Sequence, residues 1–98
     1  MARPKKLEDA AVAAFLAHHT GWKRDGDVLV RTYEFKGYPA TIAFVVEVGF
    51  AAEKKDHHPD LVVTWGKVEV RWSTHDAGGL TELDLELASR CDELARQG

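Results

Sequence analysis

The sequence predicts an α+β fold: a four-stranded antiparallel sheet covered by helices, two layers in the order α-β-β-α-β-β-α. Three observations carry this. Two β-prone runs are each folded back at a turn signal, Asp25-Gly26-Asp27 and Gly66-Lys67. The stretches before, between and after them have helical character, and no linker, repeat or low-complexity tract divides the 98 residues. Two hairpins can merge into one sheet whose apolar face needs a helical layer, so residues 1–98 form a single domain, with residues 1–6 expected as a flexible arm.

The elements follow in order. Leu7, Ala11, Ala14 and Phe15 recur at three to four positions, predicting a first helix from about Glu8 to His18 that ends before Thr20-Gly21. Trp22–Arg24 and Val28–Phe35 are joined by Asp-Gly, a strong hairpin signal. Pro39 suits the first turn of a helix, where its missing N–H has no partner to lose. Ile42, Val45, Val46, Gly49 and Phe50 then mark a helical face running to about Lys55, although the β-branched residues leave a strand over Thr41–Val48 as the competing reading. Pro59 places His57 and His58 on the connection beyond that helix. Leu61–Trp65 and Val68–Thr74 form the second hairpin, closed by His75. Thr81-Glu82-Leu83-Asp84 resembles a capping box with Asp for the usual Glu or Gln, and the last helix follows with Leu80, Leu83, Leu87, Cys91 and Leu94 on one face, which could pack on a partner copy.

Composition excludes several classes of function. Thirteen Lys and Arg against sixteen Asp and Glu give a net charge of −3, without the basic footprint of a nucleic-acid binder. The locally basic start, with Arg3, Lys5 and Lys6, lacks the apolar run of a signal peptide, and no stretch has the length of a membrane span. Cys91 is the single cysteine and cannot form an internal disulfide, which fits a cytoplasmic location. A chain this short buries only about 60 to 65% of its unfolded surface, and an open four-stranded sheet leaves edges that need protection, so self-association is expected.

Three of the five histidines, His57, His58 and His75, flank the second hairpin. The loop before its first strand and the end of its second lie on one edge of the sheet, so the three can meet. Imidazole both gives and takes protons near neutral pH. The residues alone leave three readings open: separately solvated loop histidines, metal ligands, or a proton-transfer site. Regular Cys and His spacing of the zinc kind is missing, and adjacent histidines share no face of a helix or strand, so no metal is expected. Glu53 lies one helical turn before His57 and could orient an imidazole, and Asp84 sits in the favourable first turn of the last helix. His18 and His19 fit a bland role facing the carbonyls at the end of the first helix. Trp22, Trp65 and Trp72 read as core or hairpin packing, or as an aromatic wall beside the histidines.

Glu53, His57-His58-Pro59, Trp65, His75 and Asp84, together with Gly21-Trp22, Ala52-Glu53-Lys54 and the run Ser73 to Thr81, resemble the pterin-4a-carbinolamine dehydratase family over nearly the whole chain. Leu61 departs from it, since many members carry an aromatic residue there. The resemblance implies dehydration of 4a-hydroxytetrahydropterin to quinonoid dihydropterin, without metal, nucleotide or redox cofactor. It implies His57 and His75 as the proton-transfer pair, His58 positioning the pterin or assisting, Glu53 and Asp84 as supports to binding, and the backbone at Ser73 and Thr74 against the pterin edge. It also implies a homodimer or homotetramer. Members of the family also act as non-catalytic protein-binding modules, as a dimerisation cofactor for a transcription factor or in Rubisco assembly; a binding module has no need of a complete histidine trio, which favours the enzyme.

Overall fold

The structure, a computed structural model, describes residues 4–97. Its elements are α1 (Asp9–His18), β1 (Lys23–Asp25), β2 (Val28–Glu34), α2 (Tyr38–Lys54), β3 (Asp60–Val63), β4 (Lys67–Trp72), a 3-10 turn at His75–Ala77, and α3 (Glu82–Gln97). The strands form one antiparallel sheet in the order β1-β2-β4-β3. The predicted α+β order therefore holds, and Thr41–Val48 is helix. Of the expected basic arm, residues 1–3 lie outside the described residues; the Leu7 amide donates to the Leu80 carbonyl at 2.8 Å.

Strand alternation sets the layers. Leu29 and Tyr33 of β2 and Val68, Val70 and Trp72 of β4 are buried on one face, where α2 and α3 cover them. Leu29 pairs with Trp72 and Tyr33 with Val68, so the large side chains of the two central strands meet in one core layer. From α3 the core receives Leu87, Ala88, Cys91 and Leu94. The face expected to be available to a partner copy is thus consumed within the chain. Asp92 ties α3 to the sheet by accepting from Trp22 Nε1 at 3.1 Å, Arg31 Nη1 at 2.9 Å and the Tyr33 hydroxyl.

Helix α2 is phased differently from the expectation. Its buried side is Thr41, Phe44, Val48 and Ala52, whereas Ile42, Val46 and Phe50 are exposed, Phe50 by 71%. Apolar residues surround this helix, so periodicity could not choose the inward face. Thr41 decides it by hydrogen bonding: its hydroxyl donates to the carbonyls of Gly37 at 2.8 Å and Trp65 at 3.1 Å. That second bond holds the helix start against the β3–β4 turn. Trp65 itself belongs to the turn, closed by Thr64 N to Lys67 O at 2.9 Å, and is exposed.

Candidate active site

The end of α2 aims His57. The Asp56 amide donates to the Glu53 carbonyl and the His57 amide to that of Ala52, both at 3.1 Å. This is the paired pattern of a Schellman ending. Its left-handed residue is Asp56, with φ of 48°, a conformation that Asp tolerates better than most side chains. The reversal throws successive side chains to opposite sides: His57 is buried while His58 is exposed.

Inside, the start of α3 receives His57. Nε2 of His57 lies 2.6 Å from Oδ1 of Asp84. The other carboxylate oxygen accepts the Thr81 amide at 2.9 Å and the Thr74 hydroxyl at 2.7 Å. Thr74 in turn lies 3.0 Å from the Thr81 hydroxyl. The first of these contacts is the carboxylate half of a capping box, and the shorter Asp side chain leaves one oxygen facing His57. Asp84 has no exposed surface. It was expected as a support behind the residues that meet the substrate, and its contacts are with His57, Thr74 and Thr81. The Thr74 hydroxyl is likewise turned inward. The imidazole of His57 lies nearly parallel to the indole of Trp72, 13° between planes with centroids 5.8 Å apart.

A cavity of about 190 Å³ opens against this network, lined by Asp56, His57, His58, Ser73, Thr74, His75 and Asp76. The three histidines expected to converge do line one space. His58 reaches back to Glu53, Nε2 to Oε1 at 3.0 Å, on the exposed rim, so Glu53 orients His58 and not His57. His75 does not close β4, which ends at Trp72; it opens the 3-10 turn and is exposed. The turn ends at Gly78, whose φ of 75° suits glycine. Trp65 stands at the far end of the β3–β4 hairpin, so the aromatic wall behind the histidines is Trp72. His19 behaves as expected at the end of α1: its Nδ1–H donates to the Phe15 carbonyl at 2.9 Å and its ring stacks on Phe15.

Thr81 and Asp56 were not foreseen as parts of the site. The capping signal at Thr81–Asp84 was legible, but that its carboxylate would hold a histidine was not. Among the described residues, no group of three or more His, Cys, Asp or Glu is arranged to hold a metal ion.

With this geometry in place, comparison with known proteins is decisive. The sequence profile described as pterin 4 alpha carbinolamine dehydratase matches residues 5–94. The chain belongs to the pterin-4-alpha-carbinolamine dehydratase family. A Roseiflexus sp. (strain RS-1) protein with a provisional name in this family is 45% identical over 91% of the chain and 96% of its own length. A similarly named Thermomicrobium roseum protein is 46% identical over 92% of the chain and 97% of its own length. Among solved structures, a transcriptional coactivator/pterin dehydratase from Brucella melitensis superposes with a TM-score of 0.89 at 28% identity, covering 93% of this chain and 99% of that one. A pterin dehydratase-like protein identified as a RuBisCO assembly factor in the alpha-carboxysome gives a TM-score of 0.67 at 26% identity, over 80% of this chain and 93% of that one. The chain is thus similar in fold both to a coactivator/pterin dehydratase and to a pterin dehydratase-like assembly factor.

Proposed function

We propose that this chain is a 4a-hydroxytetrahydropterin dehydratase working by histidine acid/base catalysis, in the recycling of a tetrahydropterin. The observation that carries the reading is the buried His57–Asp84 pair beside a cavity whose rim holds His58 and His75. A catalyst needs an imidazole oriented beside an open cavity, whereas a purely protein-binding module does not.

The reaction breaks the C4a–O bond and the N5–H bond. The hydroxyl leaves as water after taking a proton, the electron pair of the N5–H bond forms the C4a=N5 double bond, and the N5 proton goes to a base. One proton enters and one leaves, with no change of oxidation state. Asp84 accepts from Thr74 and the Thr81 amide on one oxygen and from His57 Nε2–H on the other. Nδ1 of His57 is then the ring nitrogen that takes the N5 proton, and the carboxylate stabilises the imidazolium that forms, as in other His–Asp pairs. His75, exposed and open to proton exchange with solvent, donates to the departing hydroxyl. Each such group contributes about 10² to 10⁴ in rate. His58, held by Glu53, positions the ring, and the backbone at Ser73 and Thr74 borders its edge.

Titration with a 7,8-dihydropterin, which lacks the 4a hydroxyl, tests the site. The ring resonances of His57, His58 and His75 should shift while those of His18 and His19 hold still. A response absent at millimolar ligand, where binding is weaker than about 4 kcal/mol, counts against the assignment.

The molecule is also proposed to self-associate, as a dimer or a tetramer, through α2. Tyr38, Ile42, Val46 and Phe50 recur every fourth residue, and all are exposed. A continuous apolar stripe of this kind marks an interaction surface. Among the described residues no helix is long and apolar enough to cross a membrane.

A further inference from the structure

The segment Ser73–Thr74–His75 has a second hollow against it. Beside the histidine-lined cavity, a cavity of about 150 Å³ is lined by Asp27, Val28, Ser73, Thr74, His75, Gly78 and Gly79. The two share Ser73, Thr74 and His75. Each alone falls below the roughly 300 Å³ at which small-molecule pockets begin, and the shared segment puts both within reach of one fused-ring ligand. Sheet register explains the neighbourhood. Leu29 of β2 faces Trp72 of β4, and continuing that register past the strand ends brings Asp27, in the β1–β2 turn, opposite Thr74.

Asp27 is the only carboxylate lining this second hollow, and among the described residues it has a long ion pair with Arg24 and accepts no hydrogen bond. Its nearest cation, Arg24, donates to Asp9 at 2.9 Å and to the Gly26 carbonyl at 2.8 Å, and stands 3.9 Å from Asp27, beyond hydrogen-bond reach. By contrast, Asp25 at the end of β1 faces Arg71 at 3.5 Å. The 2-amino-4-oxopyrimidine ring of a pterin presents N3–H and the 2-amino group as two parallel donors, on the edge remote from N5. A carboxylate matches such a pair in the manner of a guanidinium–carboxylate fork.

We propose that Asp27 is a substrate-recognition residue: its carboxylate accepts the N3–H and 2-amino donors of the pterin ring, which spans both cavities across Ser73–His75. This rests on the pterin reading above, and it adds how the site selects the 2-amino-4-oxo ring against a 2,4-dioxo ring. In the dioxo ring N3–H remains for one carboxylate oxygen, but a carbonyl replaces the amino group and sets acceptor against acceptor at the other. Discrimination built on a missing donor is stronger than that built on shape.

The test is calorimetric titration of the full chain with 6-methyl-7,8-dihydropterin and with its 2,4-dioxo counterpart. Wild type should bind the 2-amino compound at least about tenfold more tightly. Asp27→Asn can donate to the 2-oxo group as well as accept, and should bring the ratio to near one or invert it. In turnover it should raise KM with little change in kcat. Asp25→Asn, which removes the same charge two residues earlier, should keep the wild-type ratio. If Asp27→Asn keeps that ratio, or if wild type binds both compounds equally, this inference is wrong while the dehydratase assignment stands. If wild type binds neither, the dehydratase assignment fails and takes the inference with it.

Discussion

Nε2 of His57 lies 2.6 Å from Oδ1 of Asp84, and the carboxylate is completely buried. Asp84 thus serves two purposes with two oxygens: one caps α3 and the other orients the imidazole. Asp84→Asn should keep the fold and lower kcat/KM by about 10² to 10⁴, because the amide can present the wrong hydrogen to the ring. Asp84→Ala should in addition destabilise the protein by at least about 2 kcal/mol, since the Thr81 amide, the Thr74 hydroxyl and His57 all lose their acceptor. Urea unfolding of the two variants measures this; an Ala variant as stable as wild type would show the network to be idle.

Histidine substitutions separate the site from the rest of the chain. His57→Ala and His75→Ala should each lower kcat/KM by at least about 10²-fold, and together by less than the product, as groups acting in one step are not additive. His18→Ala and His19→Ala should leave turnover unchanged, with His19→Ala costing a few tenths to about 1 kcal/mol through the lost contact at the end of α1. Steady-state kinetics on the four variants decides it, and equal losses at His18 or His19 would misplace the site.

Alkaline pH should unfold the protein. Burial pushes the Cys91 thiol from 9.0 up to about 12, and burial, with the hydrogen bond to Asp92, raises the Tyr33 hydroxyl far above its ordinary value of 10.0. Both groups hold their protons more tightly folded than unfolded. Their contribution is complete below about pH 9 and is lost as pH rises, from about 9 to 12 for Cys91 and from about 10 upward for Tyr33. Tm should fall steadily above pH 9, and Tyr33→Phe should remove the part that begins near pH 10. At pH 8 the native thiol should resist an aromatic disulfide reagent and react fully in denaturant; rapid native labelling would contradict the burial of Cys91.

Much of this architecture was legible in the sequence because local signals agreed with tertiary ones. Asp25-Gly26 gave the first hairpin, Pro39 the start of α2, and Thr81–Asp84 the start of α3. The meeting of His57, His58 and His75 followed from topology alone. What stayed hidden depended on longer contacts. The inward face of α2 is fixed by hydrogen bonds from Thr41 to Gly37 and Trp65, which no periodicity shows in a helix apolar on every side. The turn at Asp56 separates His57 from His58, so that Glu53 meets His58 and Asp84 meets His57, a pairing that sequence distance does not determine. The aromatic wall is Trp72 because the β3–β4 turn carries Trp65 to the opposite end of the sheet.

Self-association has a simple readout. Light scattering at micromolar concentration should give a multiple of 10.9 kDa, and Val46→Glu with Phe50→Glu should reduce it to the single-chain mass while leaving the far-ultraviolet spectrum intact. A wild-type mass of one chain would remove the proposed role of the α2 stripe.

This chain is proposed to dehydrate a pterin carbinolamine with its own side chains. The most direct measurement is the rate at which enzymatically generated 4a-hydroxytetrahydropterin becomes quinonoid dihydropterin, followed by absorbance, with and without the purified chain after exhaustive chelation. The rate should be proportional to protein concentration, unaffected by chelation and reduced by at least about 10²-fold in His57→Ala. A rate equal to that in buffer, or one abolished by chelation and restored by zinc, would contradict the proposal.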